Sequence, residues 1–456
     1  MLLFGKNCGI IIKNHVTKKG INMKLRYILP LAALCFLTGC GGKKVPSGIE
    51  KASEEVTTTA AVSSTSKTTA KVTTEKTTTT TTKASDPPAD LVLKCRDVVE
   101  VYDEIKLSDF ITEKNVELKD GSVMLNTSDT GVFEAEIPYI YNGSEFTQKL
   151  QYSVVDTTDP LILNSGWEPN HKVGTNFDLN DYVGFADNYD STPSLSYTGE
   201  VDPNKVGSYP ITATVTDSSG NSVTWDLTIN VVEEVPRPVD DNPRVNYSDF
   251  IKRYEGGNIR FGIDVSTWQG DVDFNAVRDA GCSFVMIRIG YYYSEVTMDD
   301  QFMANIEKAT AAGLDVGLYF YTTDNTIDGA REHARWIVQQ LGGKKLQMPI
   351  AFDWEEFANF QQYGMSIHDL NEVYLAFADE IEKNGYSSIL YSSKNFLNNF
   401  WTESTKAAHP VWLAHFVDET NYDGEYAIWQ ASAYGHIPGI YGDVDMDIQY
   451  LDKKLN

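Results

Sequence analysis

Pro349-Ile-Ala-Phe-Asp-Trp-Glu355 is an apolar run that closes on two carboxylates two residues apart. A short apolar segment behind a proline reads as a buried strand. Side chains alternate along a strand, so Asp353 and Glu355 are expected on one face, roughly 6–7 Å apart at their roots. Two acids flanking one bond can protonate a leaving oxygen and support a cationic transition state, which is what glycoside cleavage needs. A bare Asp-x-Glu is more often solvated surface. A buried strand rarely ends in two acids without a task, so the residues around it decide the reading.

Outward from this run, the chain alternates strands and helices from about residue 258. Strands are expected at 262–265, 284–289, 316–321, 349–354, 388–392, 411–416, 427–429 and 444–448. Amphipathic helical spacing falls at 299–312, 327–341 and 367–384, and Gly313, Gly342 and Gly385 stand where left-handed helix ends want them. The last three connections are short for full helices. The pattern predicts an α/β domain, a TIM-like (β/α) barrel with degenerate last helices, over 258–456. In such barrels chemistry gathers at the C-terminal strand ends. Asp264 ends the first strand, Asp353 and Glu355 the fourth, and Asp445 lies on the last. Tyr319, Tyr321, Tyr391, Trp412 and Trp429 occupy neighbouring strand ends, where flat apolar faces among carboxylates suit a sugar.

Ahead of the barrel the chain changes character. Short alternating strands with turn residues over about 70 residues predict all-β immunoglobulin-like sandwiches at 88–156 and 157–233. The two repeat each other: Ile105-Lys-Leu-Ser-Asp-Phe110 matches Phe177-Asp-Leu-Asn-Asp-Tyr182, and Thr130-Gly-Val-Phe133 matches Val206-Gly-Ser-Tyr209. With Asp159-Pro160 and the turn Asp217-Ser-Ser-Gly-Asn221, the second resembles the Ig-like domains of bacterial surface proteins. Neither carries a catalytic constellation, so a spacer role is expected. A Pro- and Asp-rich linker is expected at 234–257.

Residues 41–87 are dominated by threonine and cannot bury a core, so they are expected to be a disordered tether averaging roughly 35–40 Å end to end. Lys24, Arg26 and the apolar stretch 27–36 read as a secretory signal with Met23 as its expected start. Leu37-Thr38-Gly39-Cys40 resembles the lipobox of bacterial lipoproteins, which implies a signal peptide over 1–40, lipid on Cys40, and a place on the outer face of the bacterial cytoplasmic membrane.

The 38 Lys and Arg residues against 64 acids give a net charge of −26, which excludes nucleic acid as a partner. The seven histidines show no HExxH and the five cysteines no CxxC, so no metal or other cofactor is expected. Cys282 reads as a buried thiol, and sequence leaves open whether it pairs with Cys95.

Residues 261–450 together resemble the family 25 glycoside hydrolases, the N-acetylmuramidase lysozymes. The resemblance is carried by Gly262-Ile-Asp-Val-Ser-Thr-Trp-Gln-Gly270, Phe284-Val-Met-Ile-Arg288, Phe352-Asp-Trp-Glu355, Trp412-Leu-Ala-His415, Trp429-Gln430 and Val444-Asp-Met-Asp447, in order and spacing. It implies cleavage of peptidoglycan glycan strands between N-acetylmuramic acid and N-acetylglucosamine without a metal; a monomer is expected, though sequence leaves the oligomeric state open. Glu355 is then the general acid. Its pKa is expected to be raised, with Asp353 ionised and orienting the substrate's 2-acetamido group. Asp264 and Asp445 complete the acidic floor, with Arg288 and Gln430 as further contacts. Two departures stand out: Phe320 where some members have His, and Asp447 in place of the usual Asn. Neither is expected to touch the catalytic acids. The rival expectation is a wall-binding or adhesive lipoprotein whose barrel has lost turnover.

Overall fold

The computed structural model describes residues 87–455 except 238 and 241. The signal segment, Cys40 and the threonine-rich tether up to residue 86 lie outside the described residues. Those described fall into two compact units, one ending at Asp156 and one starting at Thr157.

The first unit is built on the hairpin Gly131–Tyr141 and Ser144–Val155. Asn142 and Gly143 both have positive φ, 47° and 77°, the turn whose twist matches the two strands. Val98–Glu100 lies parallel to the second strand and Glu117–Leu118 antiparallel to the first. Ile137, Tyr139, Tyr152 and Val154 alternate into a core with Phe110.

The second unit opens with the same strand order. The hairpin Gly207–Thr216 and Ser222–Val232 takes Asn170–Lys172 in parallel on one side and Ser194–Thr198 on the other. The repeated motifs land at equivalent places, as a helical turn at Leu107–Phe110 and a 3-10 turn at Leu179–Asp181. The repeat seen in sequence is therefore a repeat of topology.

Eight strands then close on themselves: β1 (Ile259–Val265), β2 (Phe284–Tyr292), β3 (Asp315–Thr322), β4 (Ile350–Asp353), β5 (Ser388–Ser393), β6 (Val411–Ala414), β7 (Ile428–His436) and β8 (Val444–Tyr450). Between them run α1 (Phe274–Asp279), α2 (Phe302–Ala312), α3 (Ile327–Leu341), α4 (Ile367–Lys383), α5 (Lys394–Asn399) and α6 (Glu403–Ala408). Gly313 and Gly342 cap α2 and α3 at φ 82° and 56°, which residues with a Cβ rarely adopt. Alternate strand residues split the core in two. Phe284, Met286, Tyr319, Ile389, Tyr391 and Trp412 fill the barrel. Ile263, Ile287, Leu318, Phe352, Leu413 and Ile448 face outward, beneath the helices.

Two expectations change here. β8 is antiparallel to both β1 and β7, so the ring is not an all-parallel (β/α) barrel. The segment between β7 and β8, 437–443, is too short for the crossover of a dozen or more residues that a parallel strand needs. The segment read as a linker also joins the barrel early. Val245–Asn246 pairs with β7, and the helix Tyr247–Tyr254 buries Tyr247 and Phe250 in the outer layer. No helix among the described residues is long and apolar enough to cross a membrane.

Candidate active site

The acids meet at the end of the barrel where β1 and β4 finish. β8 runs the other way, so its N-terminal end lies there, and Asp445 is the direct register partner of Asp264. Asp353 is the last residue of β4, between Tyr321 on β3 and Tyr391 on β5. Glu355 lies beyond the strand, at φ −129° and ψ 2°, leading into a 3-10 segment at Glu356–Tyr363. The same-face argument from strand pleating therefore does not hold for this pair. Trp354 between them is fully buried and donates its indole N–H to the Asp324 carbonyl at 3.1 Å, which fixes the turn.

Hydrogen bonds knit the surrounding side chains. Tyr391 Oη donates to Gln430 Oε1 at 2.9 Å, and Gln430 Nε2 donates to Asp264 Oδ2 at 2.7 Å. Trp412, edge-on to Tyr391 with ring centres 4.8 Å apart, donates Nε1 to Asp447 Oδ1 at 2.8 Å. Asp353 Oδ1 and Glu355 Oε2 are shut off from solvent and have no hydrogen-bond partner among the described residues. Two buried carboxyl oxygens are thus left facing each other's field without a donor.

That enclosure sets the electrostatics. Burial pushes the Glu355 carboxyl up to about 7, eased by the Tyr391 hydroxyl and pushed further by Glu356 and Asp264. Burial likewise lifts Asp264 to about 7, against the relief given by Gln430, Asp445 and Arg288. Asp353 is lifted well above the usual carboxylate range by burial, then by Glu355 and Asp264, with only Arg288 opposing. Burial, Glu355 and Asp264 thus all work against ionisation of Asp353, and the Arg288 guanidinium works for it.

Arg288 itself is committed elsewhere. Its Nε and a terminal nitrogen donate to Asp299 Oδ2 at 2.8 and 2.7 Å, both partners being buried. Asp299 also accepts from the backbone N–H groups of Thr267 and Gln301. Tyr319, Tyr391, Trp412 and Gln430 lie inside the barrel, and Tyr321 stands at its rim, donating to Glu356 Oε1 at 2.6 Å. Trp429 does not join them. It points through the other face of β7 into the outer layer, edge-on to Tyr254, with Nε1 bonded to the His415 carbonyl. Strand alternation explains this, because Gln430 beside it faces in. Phe320 is likewise an outer-layer residue, against His333 and Trp336, away from the acids.

Sequence reasoning missed three residues. Asp447 was set apart from the acids, yet it is fully buried one pleat below Asp445. Burial and then Asp264 hold its carboxyl well above the usual range, partly offset by the Trp412 N–H. The i, i+2 spacing from Asp445 was the available signal. Asp299 and Tyr293, the latter ring-to-ring with Tyr321 at 5.3 Å, flank the short strand Val296–Met298 that folds back antiparallel on β2, and neither lies on a barrel strand. Cys95 and Cys282 are free thiols, and burial pushes the latter's pKa up to about 12. Two concavities lie elsewhere among the described residues and hold no acid cluster. One of about 480 Å³ sits beside Trp167 and Trp225, and one of about 550 Å³ at the opposite barrel end by 343–349.

The site is a closed eight-stranded barrel with a cluster of carboxyls at one mouth. Residues 263–440 match the glycosyl hydrolases family 25, and residues 163–231 match the Ig-like domain of bacterial surface proteins. The chain carries both domains. It is similar to the autolytic lysozyme of Clostridium acetobutylicum, 31% identical over 189 residues covering 41% of this chain and 54% of that protein. It is also similar to Lysozyme M1 of Streptomyces globisporus, 29% identical over 204 residues covering 40% of this chain and 65% of that one. The chain thus spans between half and two-thirds of these curated relatives. Among solved structures, the bacterial lysozyme from Streptomyces coelicolor shares 26% identity over 42% of this chain and 92% of its own, with a TM-score of 0.38.

Proposed function

We propose that the chain is a lysozyme-type N-acetylmuramidase, hydrolysing the β-1,4 bond between N-acetylmuramic acid and N-acetylglucosamine in peptidoglycan. The observation that carries this reading is the pair of buried oxygens, Asp353 Oδ1 and Glu355 Oε2, that have no partner among the described residues. Glu355, raised to about 7, holds a proton at neutral pH and gives it to the glycosidic oxygen as the bond to the anomeric carbon breaks. The substrate's own 2-acetamido oxygen closes on that carbon, the recognised exception to the two-carboxylate scheme. Its N–H is the donor that Asp353 Oδ1 lacks, and that hydrogen bond favours the ionised form of Asp353 as positive charge develops. Water then opens the cyclic intermediate and returns a proton to Glu355. Asp264 and Asp445 form the floor, held by Gln430. Tyr319, Tyr321, Tyr391 and Trp412 shape the wall. Arg288 acts on the acids through its field.

On this reading the first β unit is a second Ig-like sandwich, and the barrel is a variant TIM-like barrel. The protein works as a lipid-anchored monomer, through Cys40, on its own cell wall from the outer face of the membrane. Digesting purified peptidoglycan and identifying the new reducing-end sugar by mass spectrometry tests the activity, with Glu355→Gln as control. Reducing N-acetylmuramic acid from the parent alone supports it. No cleavage of several wall types by a folded protein would move the assignment to a wall-binding or adhesive role.

A further inference from the structure

The Ig-like domain at 157–233 was expected to be a spacer, but its edge is docked on the segment that carries the general acid. Gly184 lies so close to the Ala358 carbonyl that a Cβ on it would stand 2.3 Å from the oxygen. Gln361 grips the same edge from the barrel side, accepting from Phe185 N–H at 3.4 Å and donating to the Val183 carbonyl at 3.3 Å. Ile367 N–H at the start of α4 donates to the Asp187 carbonyl at 2.8 Å. Ala186 is buried in the barrel's outer layer, with Leu161 and Leu163 packed against it.

The docked edge is itself braced. Asn164 accepts from Gly184 N–H at 3.1 Å and donates to the Tyr182 carbonyl, and Leu163 N–H donates to the Gly184 carbonyl. The segment it meets needs support. Glu356–Tyr363 is two short 3-10 turns that meet at a kink at Asn359, and 3-10 turns have poorer hydrogen-bond geometry than an α-helix to hold them in place. On its inner side it is pinned by Tyr321 to Glu356, by Asn325 to the Tyr363 carbonyl, and by Phe357 stacked on Phe396 at 3.7 Å. The Ig-like edge is the outer jaw of that vice.

We propose that the Ig-like domain is a positioning element for catalysis: the Val183–Asp187 edge, through Gly184 and Gln361, clamps the 356–363 segment and thereby sets where the Glu355 carboxyl stands in the barrel mouth. This rests on the muramidase reading for its kinetic consequence, but not for its structural one.

The test uses the full-length protein. Gly184→Val forces the edge off the Ala358 carbonyl. The expected result is a kcat about tenfold lower with KM within about twofold, since the acid and not the sugar contacts has moved. The alkaline limb of the pH profile should also move toward lower pH, as Glu355 gains water. Amide hydrogen exchange over 354–363 should rise at least about tenfold. Gln361→Ala should give the same pattern at smaller amplitude, and it carries the test if Gly184→Val fails to fold. A parent-like kcat and pH limb in a folded variant overturns the proposal, as does a change in KM alone. If the parent cleaves no peptidoglycan, exchange alone decides: a rise at 354–363 upholds the clamp while the muramidase reading falls, and unchanged exchange overturns the clamp.

Discussion

Asp264 on β1 and Asp445 on β8 are direct partners across an antiparallel strand pair, two carboxyls in register at the mouth of a barrel. Like charges directly opposite destabilise a sheet, and here burial adds to the cost. Burial, more than any neighbour, lifts Asp264 to about 7 and lifts Asp445 well above its usual range.

The sign of the resulting pH dependence follows. The folded state holds protons that the unfolded chain releases near pH 4, so stability is fully present below that and is lost as pH rises toward 7. Barrel stability should fall by on the order of 2 kcal/mol between pH 4.5 and 7.5. Asp445→Asn should flatten the slope. Thermal unfolding across that range checks both.

Catalysis should have the opposite preference to an ionised-pair enzyme on its alkaline side. As the proposed general acid Glu355 must carry its proton, so kcat/KM should fall above about pH 7. Asp353→Asn keeps a hydrogen-bond acceptor but cannot ionise, and should lose about 10²-fold or more in kcat. Steady-state rates from pH 4 to 9 read both effects.

The Arg288–Asp299 pair is buried, and Asp299 also accepts from the backbone N–H groups of Thr267 and Gln301. Arg288→Met leaves Asp299 charged in the barrel wall and should cost about 3–5 kcal/mol in urea unfolding. A loss of activity at unchanged stability would instead make Arg288 a substrate contact.

Two tryptophans on adjacent strands should separate cleanly. Trp429→Phe removes an outer-layer bond to the His415 carbonyl, for about 1 kcal/mol of stability and less than about twofold in turnover. Trp412→Phe strips Asp447 of its donor and loosens Tyr391, so its turnover should fall about tenfold or more. Asp447→Asn, which keeps the acceptor for Trp412 and adds no charge, should gain stability over the parent as pH rises from 4 to 7, because burial raises the Asp447 carboxyl well above its unfolded range and the parent loses that contribution as pH rises. Calorimetry of the three variants at two pH values distinguishes them.

Much of this was legible beforehand. Periodicity located all eight barrel strands and the three long helices, and the glycines after them marked their ends, because local backbone physics fixes those features. Asp264, Asp353 and Asp445 were legible as strand-end carboxylates, whereas Glu355, also expected on the strand, stands just beyond it. Strand alternation, applied to Ile428-Trp-Gln430, could also have turned Trp429 outward had Gln430 been placed first.

Sequence by itself determined the strands, the caps, the repeat of the two β units and the identity of the acids, since each depends on neighbours a few residues away. Tertiary structure alone decided the direction of β8, the burial that raises the acids together, the diversion of Arg288 to Asp299 and the seating of Gly184 on Ala358. Those depend on which surfaces close on each other, over separations from 11 residues for Arg288 and Asp299 to 176 for Phe185 and Gln361, and desolvation and steric fit at a closed surface have no local signature in the chain.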